Sequence, residues 1–274
     1  MAKLRNLWYF CADLNEKLMR KTFLFAILTA FACLSAGAQM KALNTEMFEE
    51  LLRQANAQPI GNAKLLLSST VNALSSNPKA YRKAIEVAEK RLSTPTDSLH
   101  NEELYIALLE NAINNYVLSG GEKERPRLLL ENAKRNRIGT VAADIDYVTR
   151  DGKKHLMSEI TSPLTLVYFN DPDCDACEQV KERLGTSALV RDMVNSGKLT
   201  VLAIYTGADQ KLWKKTDYPQ TVINGWNKSA SIEDNGTYIL PSMPLFYLLD
   251  SDKKVLMKNE PSLKRVEERL QQEQ

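Results

Sequence analysis

The sequence predicts an all-helical first half followed by an α/β second half that occupies residues 139–274. Apolar residues recur at helical spacing through residues 40–138, which is typical of packed amphipathic helices. Beyond Arg137 the pattern changes to short alternating stretches and continuous apolar runs, which indicate strands. Two of those runs, 163–170 and 198–207, are separated by helical sequence, so we expect a parallel pair joined by a helical crossover.

Residues 19–38 have the three parts of a secretory signal peptide. Arg20 and Lys21 form a basic start, residues 23–34 are apolar, and the small residues 36–38 precede a cleavage point. The apolar stretch is shorter than the roughly 20 residues that a membrane-spanning helix needs. We therefore expect an exported protein of the periplasm or cell envelope, with no transmembrane helix in the mature chain.

The segment before Met19 fits no signal pattern, so we interpret it as an upstream extension and Met19 as the true start. Cys33 raises a second possibility, a lipid-anchored cysteine. Phe31 is a poor match to lipoprotein signals, which favours cleavage after Ala38. The leader, extension plus signal peptide, then comprises residues 1–38.

Removal of the leader changes the charge and the cysteine count. The whole chain carries a net charge of +2, and residues 1–38 hold five basic and two acidic groups, so the mature chain carries −1. That balance gives no reason to expect a nucleic-acid partner. Of the four cysteines, only Cys174 and Cys177 remain after export to an oxidising compartment.

The helical domain is expected to span residues 39–138. Asn44 or Thr45 is a suitable cap for its first helix, and Pro78 lies at the start of the third. Tyr116 continues the apolar face of the fourth helix. The predicted helices cover 43–55, 62–76, 78–92, 101–119 and 122–136. The domain has no clustered histidines and no phosphate-binding loop, so we expect a role in packing or contact.

The α/β domain begins with a short hairpin. Residues 150–153 read Arg-Asp-Gly-Lys, a turn sequence between two short strands. The continuous apolar run 163–170 predicts a central strand buried on both faces. The remaining predicted elements are helices at 177–185 and 187–197, a strand at 198–207, a strand–turn–strand unit at 243–259 and a helix at 261–272.

Cys174 and Cys177 form a C-x-x-C pair between the central strand and the following helix. A structural disulfide over so small a loop would constrain the unfolded chain very little. Zinc needs four ligands, and the chain offers only His100 and His155, each alone. Redox exchange is therefore favoured over these two alternatives, with Cys174 as the nucleophile at a helix N-terminus and Cys177 as the resolving thiol.

Three aspartates surround the pair, namely Asp171, Asp173 and Asp175. Nearby negative charge opposes ionisation of the Cys174 thiol. A pair of that kind holds its disulfide firmly, because its reduced form gains little from ionisation. We therefore expect a protein that reduces or isomerises disulfides rather than one that oxidises thiols.

Residues 139–274 resemble the thioredoxin superfamily, and are most similar to the envelope thiol:disulfide oxidoreductases that include cytochrome-maturation thioredoxins. The resemblance rests on the hairpin at 139–159, the strand and motif at 164–177, the stretch at 238–256 and the C-terminal helix. It implies an α/β thioredoxin-like fold, a central mixed β-sheet flanked by helices, after an all-α domain. The combination is similar to a group of gut-bacterial envelope proteins whose N-terminal domain has no assigned role.

The resemblance also implies roles for individual residues. Pro244 corresponds to a cis-proline that faces the cysteines, and Met243 lies beside the disulfide, so both are expected to bind substrate. Tyr238 corresponds to an aromatic residue upstream of that proline. The redox-active disulfide between Cys174 and Cys177 is the only cofactor implied. The expected partners are protein thiol or disulfide substrates and an electron-donating redox protein.

Two departures from the family pattern weaken the expectation of enzymatic activity. Asp173 replaces the aromatic residue that usually precedes the first cysteine, and Val148 stands where some relatives have a buried acidic residue. The alternative is a non-enzymatic thioredoxin-fold binding or scaffold module of the bacterial envelope. Trp213 and Trp226 are expected to pack in the interior rather than line a substrate face.

Overall fold

The computed structural model describes residues 44–273, so the predicted leader, with its cleavage after Ala38 and its Cys33, lies outside the described residues. The chain divides into two compact units between Arg127 and Leu128. Hydrogen bonds join the segment after Leu128 to the rest of the second unit. Lys258 donates to the carbonyl of Ala133 at 3.1 Å, and Asn136 donates to the carbonyl of Thr237 at 2.9 Å.

The described residues of the first unit, 44–127, contain four complete α-helices: α1 (Thr45–Asn56), α2 (Ile60–Ala73), α3 (Pro78–Ser93) and α4 (Glu102–Asn114). A fifth helix, α5 (Glu124–Lys134), contains the division between the units. The side chains of Asn44, Asn77 and Asn101 cap α1, α3 and α4 by accepting backbone N–H groups. The expected cap at Asn44 and the expected Pro78 start are therefore confirmed.

A polar network lies between α2, α3 and α4. The Asn72 side-chain oxygen accepts from the amides of Asn111 and Asn115 at 2.9 and 3.1 Å. Asn115 also donates to Ser75 at 2.8 Å, and the Tyr81 hydroxyl donates to Asn111 at 3.0 Å. Asn115, Ser75 and Tyr81 are buried members of this network, so their polar groups find partners there, and the bonds link the three helices.

The fourth helix is shorter than expected. It ends at Asn114 rather than at residue 119, and Tyr116 is 79% exposed instead of lying on the buried face. Asn115 is the reason, because its backbone is extended and its side-chain oxygen accepts the N–H of Val117 at 2.9 Å. An asparagine that bonds its own local backbone competes with helix continuation.

The second unit contains a seven-stranded mixed sheet with the order β2-β1-β5-β4-β3-β6-β7. Its strands are β1 (Asp146–Val148), β2 (Lys154–Leu156), β3 (Leu164–Asn170), β4 (Leu199–Tyr205), β5 (Val222–Trp226), β6 (Leu245–Leu249) and β7 (Val255–Glu260). Its helices are α6 (Asp175–Thr186), α7 (Ala188–Asn195), α8 (Gln210–Lys215), α9 (Ser231–Asp234) and α10 (Leu263–Gln272). The strands β3, β4 and β5 are parallel, while β6 runs antiparallel to β3. The expected parallel pair is confirmed.

Every residue of β3 is buried, as its continuous apolar run predicts. Alternate residues contribute to the two faces of the sheet. Leu166 and Tyr168 pack into one cluster, which also contains Cys177, and Val167 and Phe169 pack into the other. Tyr168 therefore lies on the face of the sheet that carries the cysteine helix.

The sequence pattern did not reveal β5 or the short helices α8 and α9. Asn224 and Gly225 interrupt the apolar run of β5, but both are needed there. The Asn224 side chain accepts from the indole of Trp213 at 2.6 Å. A Cβ on Gly225 would approach side-chain atoms of Ile204 and Tyr147 to 2.9 Å, so glycine lets the strands pack closely.

Within residues 44–273, no helix combines the length and the apolar character that a bilayer crossing requires.

Replacement of Leu166 by Ala should lower the free energy of unfolding of the second unit by about 2–5 kcal/mol, because the side chain is fully buried at the centre of β3. Chemical denaturation followed by the fluorescence of Trp213 and Trp226 measures this, since both lie in this unit. Leu156→Ala, at a 42% exposed position of edge strand β2, is the control and should cost less than about 1 kcal/mol. Equal losses would contradict the proposed core.

Candidate functional site

Cys174 is the N-cap residue of α6. Its backbone is extended, and its Sγ accepts the backbone N–H of Cys177 at 3.3 Å. The thiol is half-buried, unpaired with another sulfur, and lies 3.6 Å from the carbonyl oxygen of Met243. The Cys174 sulfur therefore lies at the N-terminal end of α6, next to backbone N–H groups that have no partner within the helix.

The turn before α6 sets the position of Cys174. The carbonyl of Asp171 accepts the N–H of Cys174 at 3.1 Å, and the Asp171 carboxylate accepts the N–H of Asp173 at 3.0 Å. These bonds close a tight turn directly after β3. The side chains of Asp171, Asp173 and Asp175 are exposed, so the mouth of the site is acidic, as expected from the sequence.

Cys177 lies one turn further along α6 and is only 3% exposed. Burial raises the pKa of its thiol to about 12, and the neighbouring Cys174 adds to this effect. The backbone N–H of Asp171 and the hydroxyl of Tyr168 act in the opposite direction, by favouring the thiolate. Cys177 is therefore a protonated, shielded thiol at neutral pH.

The Met243–Pro244 peptide bond is cis, as the resemblance predicted. The carbonyl of Met243 points at the Cys174 thiol. Three of the four predicted site residues, namely Cys174, Cys177 and Met243, therefore pack into one cluster, with Pro244 joined to Met243. Substrate binding by Met243 and Pro244 stays a prediction.

The other singled-out aromatic residues are structural. Tyr238 is buried, lies 5.1 Å from the Phe169 ring, and donates its hydroxyl to the Ala143 carbonyl. Trp213 and Trp226 are buried with their ring centroids 5.4 Å apart, which confirms the expectation that they pack.

Val148, which stands where some relatives have an acidic residue, packs against a small cluster of Tyr205, Trp213 and Trp226. Cys177 belongs to a different cluster, on the face of the sheet that α6 covers. Val148 therefore packs among aromatic side chains and not in the cluster that contains Cys177.

Sequence reasoning missed three polar residues behind Cys177. The Tyr168 hydroxyl donates to the Cys177 carbonyl at 2.8 Å, and the Tyr218 hydroxyl donates to the Asn170 side chain. Tyr168 was visible in the sequence as a strand residue, but its hydroxyl contact depends on the helix that follows. Tyr218 lies in a segment without a periodic pattern, so no signal could have placed it here.

Among residues 44–273, no group of three or more His, Cys, Asp or Glu side chains is arranged to hold a metal ion.

The two thiols should differ sharply in alkylation. Iodoacetamide at pH 7–8 should modify Cys174, whereas Cys177, with a thiol pKa raised to about 12, should stay unmodified in the folded protein. Modification of Cys177 should increase about tenfold per pH unit, because the thiolate fraction grows with pH below the pKa. Peptide mapping by mass spectrometry separates these sites from Cys11 and Cys33.

The Cys174→Ser variant is the control for that experiment. At pH 7–8 its Cys177 should react only after denaturation, because the side chain is 3% exposed and the pKa of its thiol is raised to about 12. Similar labelling of both thiols in the folded protein would contradict the described asymmetry.

Comparisons with known proteins support the two-part organisation. A family model described as a domain of unknown function, DUF5106, matches residues 42–136. A solved structure of a thioredoxin-like protein from Bacteroides caccae is 30% identical, with 84% of this chain and 83% of that chain covered and a TM-score of 0.77. A search of the curated proteins finds no match.

Two further solved structures each cover about half of this chain. The C-terminal domain of an uncharacterized protein from Bacteroides fragilis is 34% identical over 50% of this chain and 99% of that chain, with a TM-score of 0.48. The thioredoxin domain of a thiol-disulfide oxidoreductase from Bacteroides vulgatus is 18% identical over 49% of this chain and 98% of that chain, with a TM-score of 0.40.

The Bacteroides caccae match extends over most of both chains, and the sheet order and the cis Met243–Pro244 bond agree with the fold class that the sequence predicted. This chain belongs to the family of thioredoxin-like proteins, and residues 42–136, before its thioredoxin-like domain, match the DUF5106 model.

Proposed function

We propose that this chain is an exported thiol:disulfide oxidoreductase that exchanges disulfides with envelope proteins through Cys174 and Cys177. One observation carries the proposal: a reachable thiol caps a helix and faces the Met243 carbonyl, while a second thiol is buried one turn behind it. This arrangement separates a nucleophile from a resolving thiol, which is what two-step exchange requires.

Exchange would proceed in two balanced steps. The Cys174 thiolate attacks one sulfur of a substrate disulfide, so that a mixed disulfide forms and the other substrate sulfur leaves as a thiolate that takes up a proton. Cys177 then attacks Cys174 and releases the second substrate thiol. The substrate gains two electrons and the protein ends with a Cys174–Cys177 disulfide, its redox cofactor, which an electron-donating partner must reduce.

Met243 and Pro244 would shape the substrate groove. The Met243 backbone lies beside the nucleophile, and Pro244 has no N–H to donate. An extended substrate segment pairing with the backbone at Met243 would bring its own sulfur towards Cys174. This accounts for two site residues that are distant from the cysteines in the sequence.

Reduction or isomerisation is favoured over oxidation. A low thiol pKa stabilises the reduced form and makes a pair oxidising. Here burial raises the pKa of the Cys177 thiol to about 12, and the exposed side chains of Asp171, Asp173 and Asp175 make the surroundings of the pair acidic. The reduced pair therefore gains little from ionisation, so the disulfide is comparatively stable.

Export to the envelope rests on the leader, residues 1–38, and on its predicted signal peptide. The periplasm or envelope is where disulfide substrates accumulate. The competing role is a non-enzymatic binding module, which Asp173 favours because it replaces the aromatic residue usual in the family. The two experiments below separate the two roles.

The reduction potential of the Cys174–Cys177 couple should be about −270 mV, well below the value of about −120 mV that is typical of strong disulfide oxidants. Equilibration with glutathione or dithiothreitol buffers measures it. Asp173→Asn should raise the potential by no more than about 20 mV, because the lost charge is exposed. A value below about −300 mV with no turnover of insulin disulfides would indicate a structural bond.

The Cys177→Ala variant should accumulate mixed disulfides with envelope proteins through Cys174, because the resolving thiol is gone. Non-reducing electrophoresis of envelope extracts detects them as bands that disappear on reduction. The Cys174→Ala/Cys177→Ala double variant is the matched control and should trap nothing. Absence of reducible bands with Cys177→Ala would favour the binding-module role.

A further inference from the structure

A cluster of buried polar groups lies behind Cys177, and the exchange steps above make no use of it. Tyr168 is fully buried, and its hydroxyl donates to the Cys177 carbonyl at 2.8 Å. The Asn170 amide donates to the carbonyls of Tyr168 and Ile204 at 3.2 and 3.1 Å, and its oxygen accepts the Tyr218 hydroxyl. These bonds hold Tyr168 in a defined place beneath α6.

The groups that face Cys177 come from several elements. Its own helix contributes Cys174, at the N-cap. Strand β3 contributes Tyr168, and the turn contributes the Asp171 backbone N–H. The segment before β5 contributes Tyr218. Glu178 and Lys181 pair with each other at 2.6 Å. Among the described residues, the groups that act most strongly on the Cys177 sulfur include no carboxylate side chain.

In the resolving step, negative charge must develop on the Cys177 sulfur, although burial of this side chain disfavours the thiolate. Burial raises the pKa of the Cys177 thiol to about 12. Burial also raises the pKa of Tyr168, far above neutrality. Tyr168 therefore keeps its proton and acts as a hydrogen-bond donor rather than as a base.

We propose that Tyr168 is a positioning residue of the resolving step: its hydroxyl anchors Cys177 through the carbonyl in the resting state and donates to the Cys177 sulfur as negative charge develops there. The hydroxyl hydrogen can turn between the two acceptors because it rotates about the C–O bond. The inference rests on the function proposed above. It gives β3, which positions the Cys174–Cys177 motif, a part in the exchange chemistry as well.

The step balances without any additional reagent. The Cys177 sulfur forms a bond to the Cys174 sulfur, and the bond between Cys174 and the substrate sulfur breaks. The electron pair leaves with the substrate sulfur, and the proton lost by Cys177 ends on that substrate thiol. Tyr168 keeps its own proton throughout and stabilises the transient charge.

The test uses dithiobis(nitrobenzoate) with the full chain carrying Cys11→Ser and Cys33→Ser, so that only the C-x-x-C thiols react. Attack by Cys174 releases one coloured thiolate and leaves a mixed disulfide. Attack by Cys177 releases a second one. Stopped-flow absorbance therefore records the nucleophilic step and the resolving step in a single trace.

Tyr168→Phe keeps the ring that stacks on Phe246 at 5.0 Å and removes only the hydroxyl. The second release should slow by about 10- to 100-fold, the loss expected for a hydrogen bond to a charged group, while the first changes by less than about twofold. The pH profile of the second release should move to higher pH by about one unit or more, because the thiolate loses a donor. If Tyr168 had only a structural role, its replacement by Phe would slow both releases and would not shift the pH profile of the second release.

Tyr247→Phe is the matched control, since its buried hydroxyl donates to Asn259 at 2.7 Å in the same sheet. Both releases should be unchanged in it. A second release of normal rate in Tyr168→Phe would overturn the inference and leave the proposed function intact. If the chain that retains Tyr168 shows no second release, the inference about Tyr168 and the proposed thiol–disulfide exchange are both wrong. Should circular dichroism show that Tyr168→Phe does not fold, Tyr168→Met gives the same readout, because methionine fills irregular core space.

Discussion

The fully buried central strand β3 is the constraint on which the site depends. It pairs with β4 on one side and with β6 on the other, and Phe169 lies opposite Leu245. Because β6 runs antiparallel, the carboxyl end of β3 meets the amino end of β6. The segment leaving β3 carries Cys174, and the segment entering β6 carries Met243. A shift of register by one residue would reverse every side chain of β3 and separate the two.

The two thiols of the pair differ because Cys174 lies at the start of α6, whereas Cys177 lies one turn along it, on the side that packs against the sheet. Cys174 caps the helix at its open end, where unpaired N–H groups favour negative charge. Cys177 faces the sheet and loses its contact with water, so its neutral form dominates. Two chemically identical side chains one helical turn apart therefore have different environments, which suit Cys174 to be the nucleophile and Cys177 to be the resolving thiol. The hydroxyl of Tyr168 is placed to moderate the cost of that burial.

Local pattern predicted most elements, and its failures have identifiable causes. The strand β3 was predicted because a run without polar interruption admits few other structures. The strand β5 was missed because Asn224 and Gly225 interrupt its apolar pattern. Asn224 accepts the indole N–H of Trp213, and Gly225 leaves room for side chains of the neighbouring strands. The fourth helix was predicted too long because the apolar spacing continues to Tyr116, whereas the Asn115 side chain bonds the backbone beyond the helix end.

The sequence by itself determined the chemistry that this protein can offer: two cysteines at C-x-x-C spacing, a helix that starts at the first, and aspartates around it. Those features are local, since they depend on residues within two helical turns. Only the tertiary structure decided what faces the pair, because Met243 is 69 residues from Cys174 and Tyr218 is 48 residues from Asn170. Contacts over such separations are set by strand order and register, which no local periodicity encodes.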